Sequence, residues 1–530
     1  MNFDLPIISP DANPEFVGAA ACAEWLKDLP LINVGPAHGR LLGQLEELNC
    51  FGLPPGERIK ILEMMLDAVA FVQAEHAKKF TAKAVPLSRP EREVFENVLA
   101  LWDALAQGWQ HCVAALEADE AARNAAAMIC QRLLWCIGQK IAEHFKAYQS
   151  VPEREWQRLH QAYTVANARG IVDLKIAHPL HREGSETSCS DTFFQVLLFA
   201  RSNPSEQTPR QQAVVARWSE RWARKITISR EAAEAGTPLV VDLDSPTAAS
   251  RSQPPSPSVR YLSVGELSKS LKKRIIMLHS GATPESLGLG NDVPGPMAAN
   301  LLVALHREWC EDKGSRKLPR RGGAPTTELC SGLAAMHFCV TGQAFRQPVA
   351  PKELSQRARN EIATFGRVST REEDNSAAQH SSALEAWEIR EETLAELRLE
   401  RPLDAGSRFH HHQLVAVRPS DAKSFLMCTV HWLSVSPEGK LCLGARVIPG
   451  VPQGVAVRAT GVNALTEKYV PALSLPAVPA LQSPATLLLP SGWFRPKRIV
   501  ELYLNTPRQV LLSAALERGS NFDRCTYEPA

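Results

Sequence analysis

Two arginines four positions apart, Arg367 and Arg371 in the run Arg367-Val-Ser-Thr-Arg371, and a polar set that follows them, Glu391, Thr393 and Glu396, are the residues of this chain best suited to hold a charged ligand. A guanidinium is planar and always charged. It forks onto two phosphate oxygens, bridges O6 and N7 of a guanine, and stacks on a base. Two such groups on one short segment can close over a compact nucleotide that carries two phosphates. A carboxylate such as that of Glu391 accepts hydrogen bonds from the donor edge of a purine, and the hydroxyl of Thr393 offers one more. The spacing by itself says little, because Arg154/Arg158, Arg217/Arg221 and Arg316/Arg320 repeat it. Taken alone, a pair of this kind reads as a solvated surface feature. Glu372, Glu373 and Asp374 follow Arg371 at once and partly neutralise it.

These residues need a scaffold, and the pattern around them supplies one. Residues 385–389, 397–399, 414–418, 425–433, 441–447 and 455–458 are short, β-branched or alternating runs, separated by turns such as Ser436-Pro-Glu-Gly439. Six closely spaced strands predict a barrel or a strongly twisted sheet. A proline-rich segment, 471–484, precedes three further strands at 485–489, 498–504 and 509–514, which read as a β extension of the same region.

Residues 365–458 resemble a PilZ domain. Arg367 and Arg371 stand in that family's RxxxR motif, and Glu391, Thr393 and Glu396 stand at the Asp/Asn, Ser and Gly places of its D/N-x-S-x-x-G motif. Leu414-Val-Ala-Val417, Val430-His-Trp432 and Gly444-Ala-Arg-Val447 then fall in the order of the following strands. The resemblance implies a small bacterial β-barrel that senses cyclic di-GMP. It implies that Arg367 and Arg371 clamp phosphate and guanine and that Glu391 and Thr393 meet a guanine edge. Glu396 departs from the pattern, setting an anionic side chain where the family has glycine and opposing the ligand by charge and by turn geometry. The expected function is that of a non-catalytic cyclic di-GMP effector, in which binding rearranges the barrel against the helical part. The alternative is a degenerate PilZ scaffold that binds a protein partner without nucleotide.

The first third of the chain reads as helix. Apolar residues recur every three to four positions over 57–80 (Ile59, Leu62, Leu66, Val69, Val72) and 90–116 (Val94, Val98, Leu101, Leu105, Trp109, Val113). A third run carries Met128, Leu133, Ile137, Ile141 and Phe145, and Pro152 opens a fourth. Four long helices with short connections predict an antiparallel bundle. The middle is mixed: helices at 193–202, 209–222, 264–278 and 296–310, a strand at 238–243, and an exposed Ser/Pro-rich loop or linker at 245–258. The expected fold is therefore α+β and multidomain. It comprises a helical bundle (1–175), a mixed α/β region (176–350), a PilZ-like antiparallel β-barrel (351–460) and a β extension (461–530).

Composition bounds the remaining readings. Lys+Arg number 59 and Asp+Glu 57, so no global field draws the chain to nucleic acid. The 12 cysteines show no metal-ligand cadence, Cys428 and Cys442 read as buried thiols on neighbouring strands, and no cofactor or metal is expected. His410-His-His412 reads as an exposed segment before a strand, because adjacent side chains point apart. Arg316-Lys-Leu-Pro-Arg-Arg-Gly-Gly323 reads as a solvated loop. The start Met1-Asn-Phe-Asp-Leu-Pro lacks a basic region with an apolar run behind it, and no apolar stretch is long enough to span a bilayer, so a cytoplasmic location is expected. Catalytic motifs are missing. The second alternative, an unrecognised enzyme in the middle region, rests on Asp242 and Asp244 at the end of the Leu239-Val-Val strand, placed as in the acidic end of a βα unit.

Overall fold

The apolar stripes of the first third fold into long helices whose ends are set by local chemistry. In the computed structural model, which describes residues 5–116, 122–180, 186–232, 239–311, 321–322, 326–348, 384–393, 395–460 and 467–530, the chain divides into two units, Met1–Arg316 and Lys317–Ala530. The first begins with α1 (Ala19–Lys27), α2 (Val34–Cys50), α3 (Pro55–Ala77), α4 (Arg89–Ala114), α5 (Arg123–Lys146) and α6 (Glu153–Ala168). Proline occupies the first turn of α3 and α4, where no backbone N–H partner is lost, and Ser88 with Glu91 forms a capping box at the start of α4. Helix α5 is buried on most of its surface and packs against both α4 and α6.

Charges that this burial carries inward are paired. Lys140 on α5 reaches Asp103 at 3.0 Å and Glu155 at 2.8 Å, and Arg132 reaches the two oxygens of Glu63 at 2.7 and 3.1 Å. Removing one partner would strand a buried charge, which is far more costly than losing an exposed pair.

The elements that follow are a short antiparallel pair, β1 (Ile176–Ala177) with β2 (Glu186–Thr187), then α7 (Cys189–Arg201) and α8 (Pro209–Ala223). Next come β3 (Thr227–Ser229), β4 (Leu239–Asp242), β5 (Val259–Ser263), α9 (Gly265–His279) and α10 (Gly295–Cys310). Their buried residues, among them Phe193, Trp222, Leu267 and Trp309, belong to the same hydrophobic core as the first six helices. Residues 245–258 are tied down rather than linking: Val240 and Ser250 exchange both backbone hydrogen bonds at 2.8 Å, Ala249 is buried, and Arg251 donates to the carbonyls of Arg307 and Glu308 at the end of α10. The three strands lie in the order β3-β5-β4, all antiparallel, so Asp242 does not end a parallel βα unit. Its Oδ1 accepts from Ser258 Oγ at 2.6 Å and from the Asp244 N–H at 3.1 Å, a turn-closing role that argues against catalysis there.

In the second unit the strands form two closed antiparallel rings. Strands β7 (Thr326–Ser331), β8 (Glu385–Glu392), β9 (Glu396–Pro402), β10 (Leu414–Pro419), β11 (Leu426–Val435) and β12 (Lys440–Val447) close in the order β8-β7-β10-β11-β12-β9, with β9 returning to β8. The two-residue strand β6 (Arg321–Gly322) is added on β8. The second ring is β13-β14-β15-β18-β17-β16, built from β13 (Gln453–Ala459), β14 (Val470–Leu475), β15 (Thr486–Pro490), β16 (Ile499–Tyr503), β17 (Pro507–Arg518) and β18 (Phe522–Pro529). The run at 455–458, grouped by spacing with the first barrel, instead pairs with β14 and β16 and belongs to the second. The expected β extension is thus most of a barrel in its own right. Helix α11 (Leu333–Thr341) packs on β13 and β14, and Met336, Leu414, Met427, Leu473 and Phe522 share one buried cluster that joins the rings. Among the described residues no helix is long and apolar enough to cross a membrane.

Candidate ligand site on the first barrel

The hairpin between β8 and β9 brings together three of the five residues singled out from sequence. Thr393 organises it: its N–H donates to the Glu396 carbonyl at 2.8 Å, and its hydroxyl donates to the same oxygen at 3.2 Å. That hydroxyl also accepts from the N–H groups of Glu396 and Ala395 at 3.0 and 3.3 Å. A hydroxyl has one proton and two lone pairs, and all are spent inside the turn. Thr393 therefore positions the hairpin, and its hydroxyl would have to give up a turn bond to meet a guanine edge. Glu396 opens β9, and none of Thr393, Ala395 and Glu396 has a positive φ, so this turn does not require the glycine that the PilZ pattern places there. The expected obstruction by backbone geometry falls away; the charge remains. Arg367 and Arg371 lie outside the described residues.

Around the hairpin two β-bulges set what faces outward. On β8, Ile389 pairs with Leu399 and Glu391 with Arg398, leaving Arg390 as the extra residue, with its guanidinium on Glu400 at 2.7 Å. On β11, Val430 pairs with Ala445 and Trp432 with Gly444, leaving His431 as the extra residue. A bulge re-aims the side chains that follow it. The result is a row across four strands: Glu391 opposite Arg398, Arg398 opposite Gly444, Gly444 opposite Trp432. A Cβ at position 444 would collide with the Trp432 indole, so the glycine is what lets the ring lie across β12. The ring comes within 6.0 Å of the Arg398 guanidinium, at the outer limit of a cation–π contact.

This band is only loosely closed. Arg398 keeps 43% of its side chain exposed and meets Glu391 at 3.7 Å and Glu400 at 3.2 Å. Beside it Arg446, half exposed, donates to His431 Nε2 at 2.9 Å and reaches Glu396 at 3.3 Å. Burial, with Arg446 next to it, pushes the His431 pKa down to about 4, so the ring is neutral at pH 7 and accepts from the guanidinium. The arrangement offers two forked cations, an aromatic face and the Glu391 acceptor on one wall. It also opposes anions with three carboxylates, Glu391 and Glu400 on Arg398 and Glu396 on Arg446. Sequence reading missed Arg398, Trp432 and Arg446; their signal was an aromatic and two arginines on the polar positions of strands that it did identify.

The other candidates resolve differently. His411 is buried and His412 half-buried with φ 56°, its N–H on the Val430 carbonyl at 2.9 Å, so of the expected exposed histidine run only His410 is exposed. No group of three or more His, Cys, Asp or Glu is placed to hold a metal among the described residues. All twelve cysteines are free, with Cys428 and Cys442 buried.

Comparison with known proteins places this architecture. Residues 20–234 match the family described as the N-terminal domain of the cyclic-di-GMP receptor FimW, and residues 455–530 match the FimW C-terminal β-barrel domain. The second match begins within β13 and runs through the second ring. The two matches together take in more than half of the chain and both are to domains of FimW. The first barrel, with the Glu391–Glu396 hairpin, lies between the two matched segments. The chain is also similar to the cyclic-di-GMP receptor FimW of Pseudomonas aeruginosa, at 22% identity over 96% of this chain and 90% of that protein.

Proposed function

We propose that this protein is a non-catalytic effector that binds cyclic di-GMP, with the site on the outer wall of the first barrel. The observation that carries the reading is the similarity to a cyclic-di-GMP receptor across nearly the whole chain, with matches to the family at both ends. The wall itself supports it. Arg398 and Arg446 can fork onto phosphate or guanine, the Trp432 ring presents a stacking face, and the Glu391 carboxylate can accept from a guanine N–H edge. Arg367 and Arg371 are proposed as the arm that closes over the ligand. Glu396 is proposed as the residue that weakens the site, since it must release Arg446 before a phosphate can take its place.

Binding is proposed to change how the barrels and the helical unit are arranged, in a cytoplasmic setting. A shift in the radius of gyration by small-angle scattering on adding cyclic di-GMP supports that step, and an unchanged value confines the effect to the site. The binding itself is tested by isothermal titration of the full chain beside an Arg367→Ala/Arg371→Ala double variant. Each charge-assisted hydrogen bond contributes on the order of 1.5 to 3 kcal/mol, so the double variant is expected to lose more than about tenfold in affinity. A wild type that gives no heat leaves the second reading, a scaffold whose arginines are already neutralised by Glu391 and Glu396 and whose partner is a protein.

A further inference from the structure

Far along the chain from the first barrel, the helical unit contains a cavity of about 240 Å³ between α5, α7 and α8 that the nucleotide reading does not use. Its origin is local. At Gly138 the helices α5 and α7 come so close that a Cβ would sit 2.6 Å from Val196 Cγ2. Further along the same groove the walls are small, with Ala142 on α5 and Ala213 and Ala216 on α8, and the helices leave a gap backed by Trp135, Ile141 and Phe199. A gap of this size forfeits packing energy, and a core under selection for stability alone would fill it with larger side chains.

One polar atom singles the cavity out. Gln212, on α8 and 2% exposed, lines it. Its Nε2 donates to the carbonyls of Phe145 at 3.1 Å and Pro204 at 2.8 Å, which fixes the amide and leaves Oε1 buried with no hydrogen-bond partner among the described residues. A buried acceptor without a partner is costly, and an incoming donor recovers that cost. Lys146, the charged residue on the lining, is held by Glu143 at 2.8 Å, so the site does not ask for a charge.

We infer that this cavity binds a small neutral molecule, a fused ring or a short aliphatic chain, that presents one hydrogen-bond donor to Gln212 Oε1 and buries its apolar body against Trp135, Ile141 and Phe199. The volume supports that scale, since an apolar cavity of about 150 Å³ already takes up benzene. It is too small for a helix.

The test is calorimetric titration of the full chain with indole, whose N–H can reach the amide oxygen, and with 1-methylindole, whose nitrogen cannot donate. Saturable indole binding is expected, at least about threefold tighter than that of 1-methylindole, the discrimination one neutral hydrogen bond provides. Ala216→Phe, which places a ring in the gap, is expected to abolish it while cyclic di-GMP titrates as in the wild type. Should that variant fail to fold, Ala142→Phe on the facing wall serves instead. No saturable indole binding, equal affinity for the two probes, or binding that survives a filled cavity in a folded variant would each overturn the inference. None of these outcomes bears on the nucleotide site, whose titration is read separately.

Discussion

The two barrels use the same ingredients on their outer walls and close them to different degrees. On the second barrel Arg458 donates to Glu501 Oε1 from Nε at 2.9 Å and from a terminal nitrogen at 2.8 Å, lies 4.7 Å from the Tyr469 ring, and is only 20% exposed; the Tyr469 hydroxyl donates to the same oxygen. On the first barrel Arg398 meets its carboxylates at 3.2 and 3.7 Å, lies 6.0 Å from Trp432 and is 43% exposed. A cation, a carboxylate and an aromatic ring make a finished structural contact in one place and an unfinished one in the other. Unfinished contacts are the ones from which a ligand can gain.

The contrast breaks most sharply if the two arginines are exchanged for alanine one at a time. Arg398→Ala is expected to weaken cyclic di-GMP binding by about tenfold or more and to leave stability within about 0.5 kcal/mol, because an exposed, loosely paired side chain holds little of the fold. Arg458→Ala is expected to do the reverse. It leaves Glu501 largely buried without its cation, at a cost of about 2 kcal/mol, with unchanged affinity. Titration calorimetry and urea unfolding of the same two proteins read both effects. Equal losses of affinity would mean that the walls do not differ in function.

A smaller effect sharpens the comparison from the acid side. Glu396 pairs with Arg446 in the open, where such ion pairs contribute on the order of 0.2 to 1 kcal/mol. Glu396→Ala frees Arg446 for phosphate, so cyclic di-GMP is expected to bind about two- to fivefold more tightly, checked by the same titration. Weaker binding in that variant would make Glu396 a ligand contact rather than a competitor.

How much of this was legible in the sequence depended on whether a signal was local. Helices such as α4, with Ser88 and Glu91 at its start and Val98, Leu101, Leu105 and Trp109 on one face, declare themselves within a few turns. Strand β14 hid behind Pro471, which reads as a break although it sits opposite Ala456 in the ladder, and β7 and β18 show weak alternation. Which ring a strand joins is decided by partners distant in the chain, so residues 455–458 could not be assigned by spacing. The same holds for the site. Glu391, Thr393 and Glu396 share one hairpin, and their proximity follows from spacing alone. Arg398, Gly444 and Trp432 line up only through the register of three strands and a bulge at His431, none of which has a sequence signature.

The smallest difference between the barrels concerns protons. Residues 453–530 contain no histidine, whereas on the first barrel His431 sits among Arg446, Glu396 and His412 with its pKa pushed down from the ordinary 6.5 to about 4, and that of His412 is also lowered by burial and by Arg446. A ring held neutral in the folded protein but free to protonate when unfolded stabilises the fold above pH 6.5. That stabilisation drains away as the pH falls toward 4, because over this window the unfolded chain binds the extra proton. Replacing the ring by His431→Gln, which keeps an acceptor for Arg446 but cannot titrate, should therefore flatten the acid side of the stability curve by up to about one proton in slope between pH 6.5 and 4.5. Thermal unfolding of the two proteins across that range reads the difference directly. Parallel curves would show that the wall around Arg446 opens enough for the histidine to protonate in place, and with it that the first barrel is looser still than its contacts suggest.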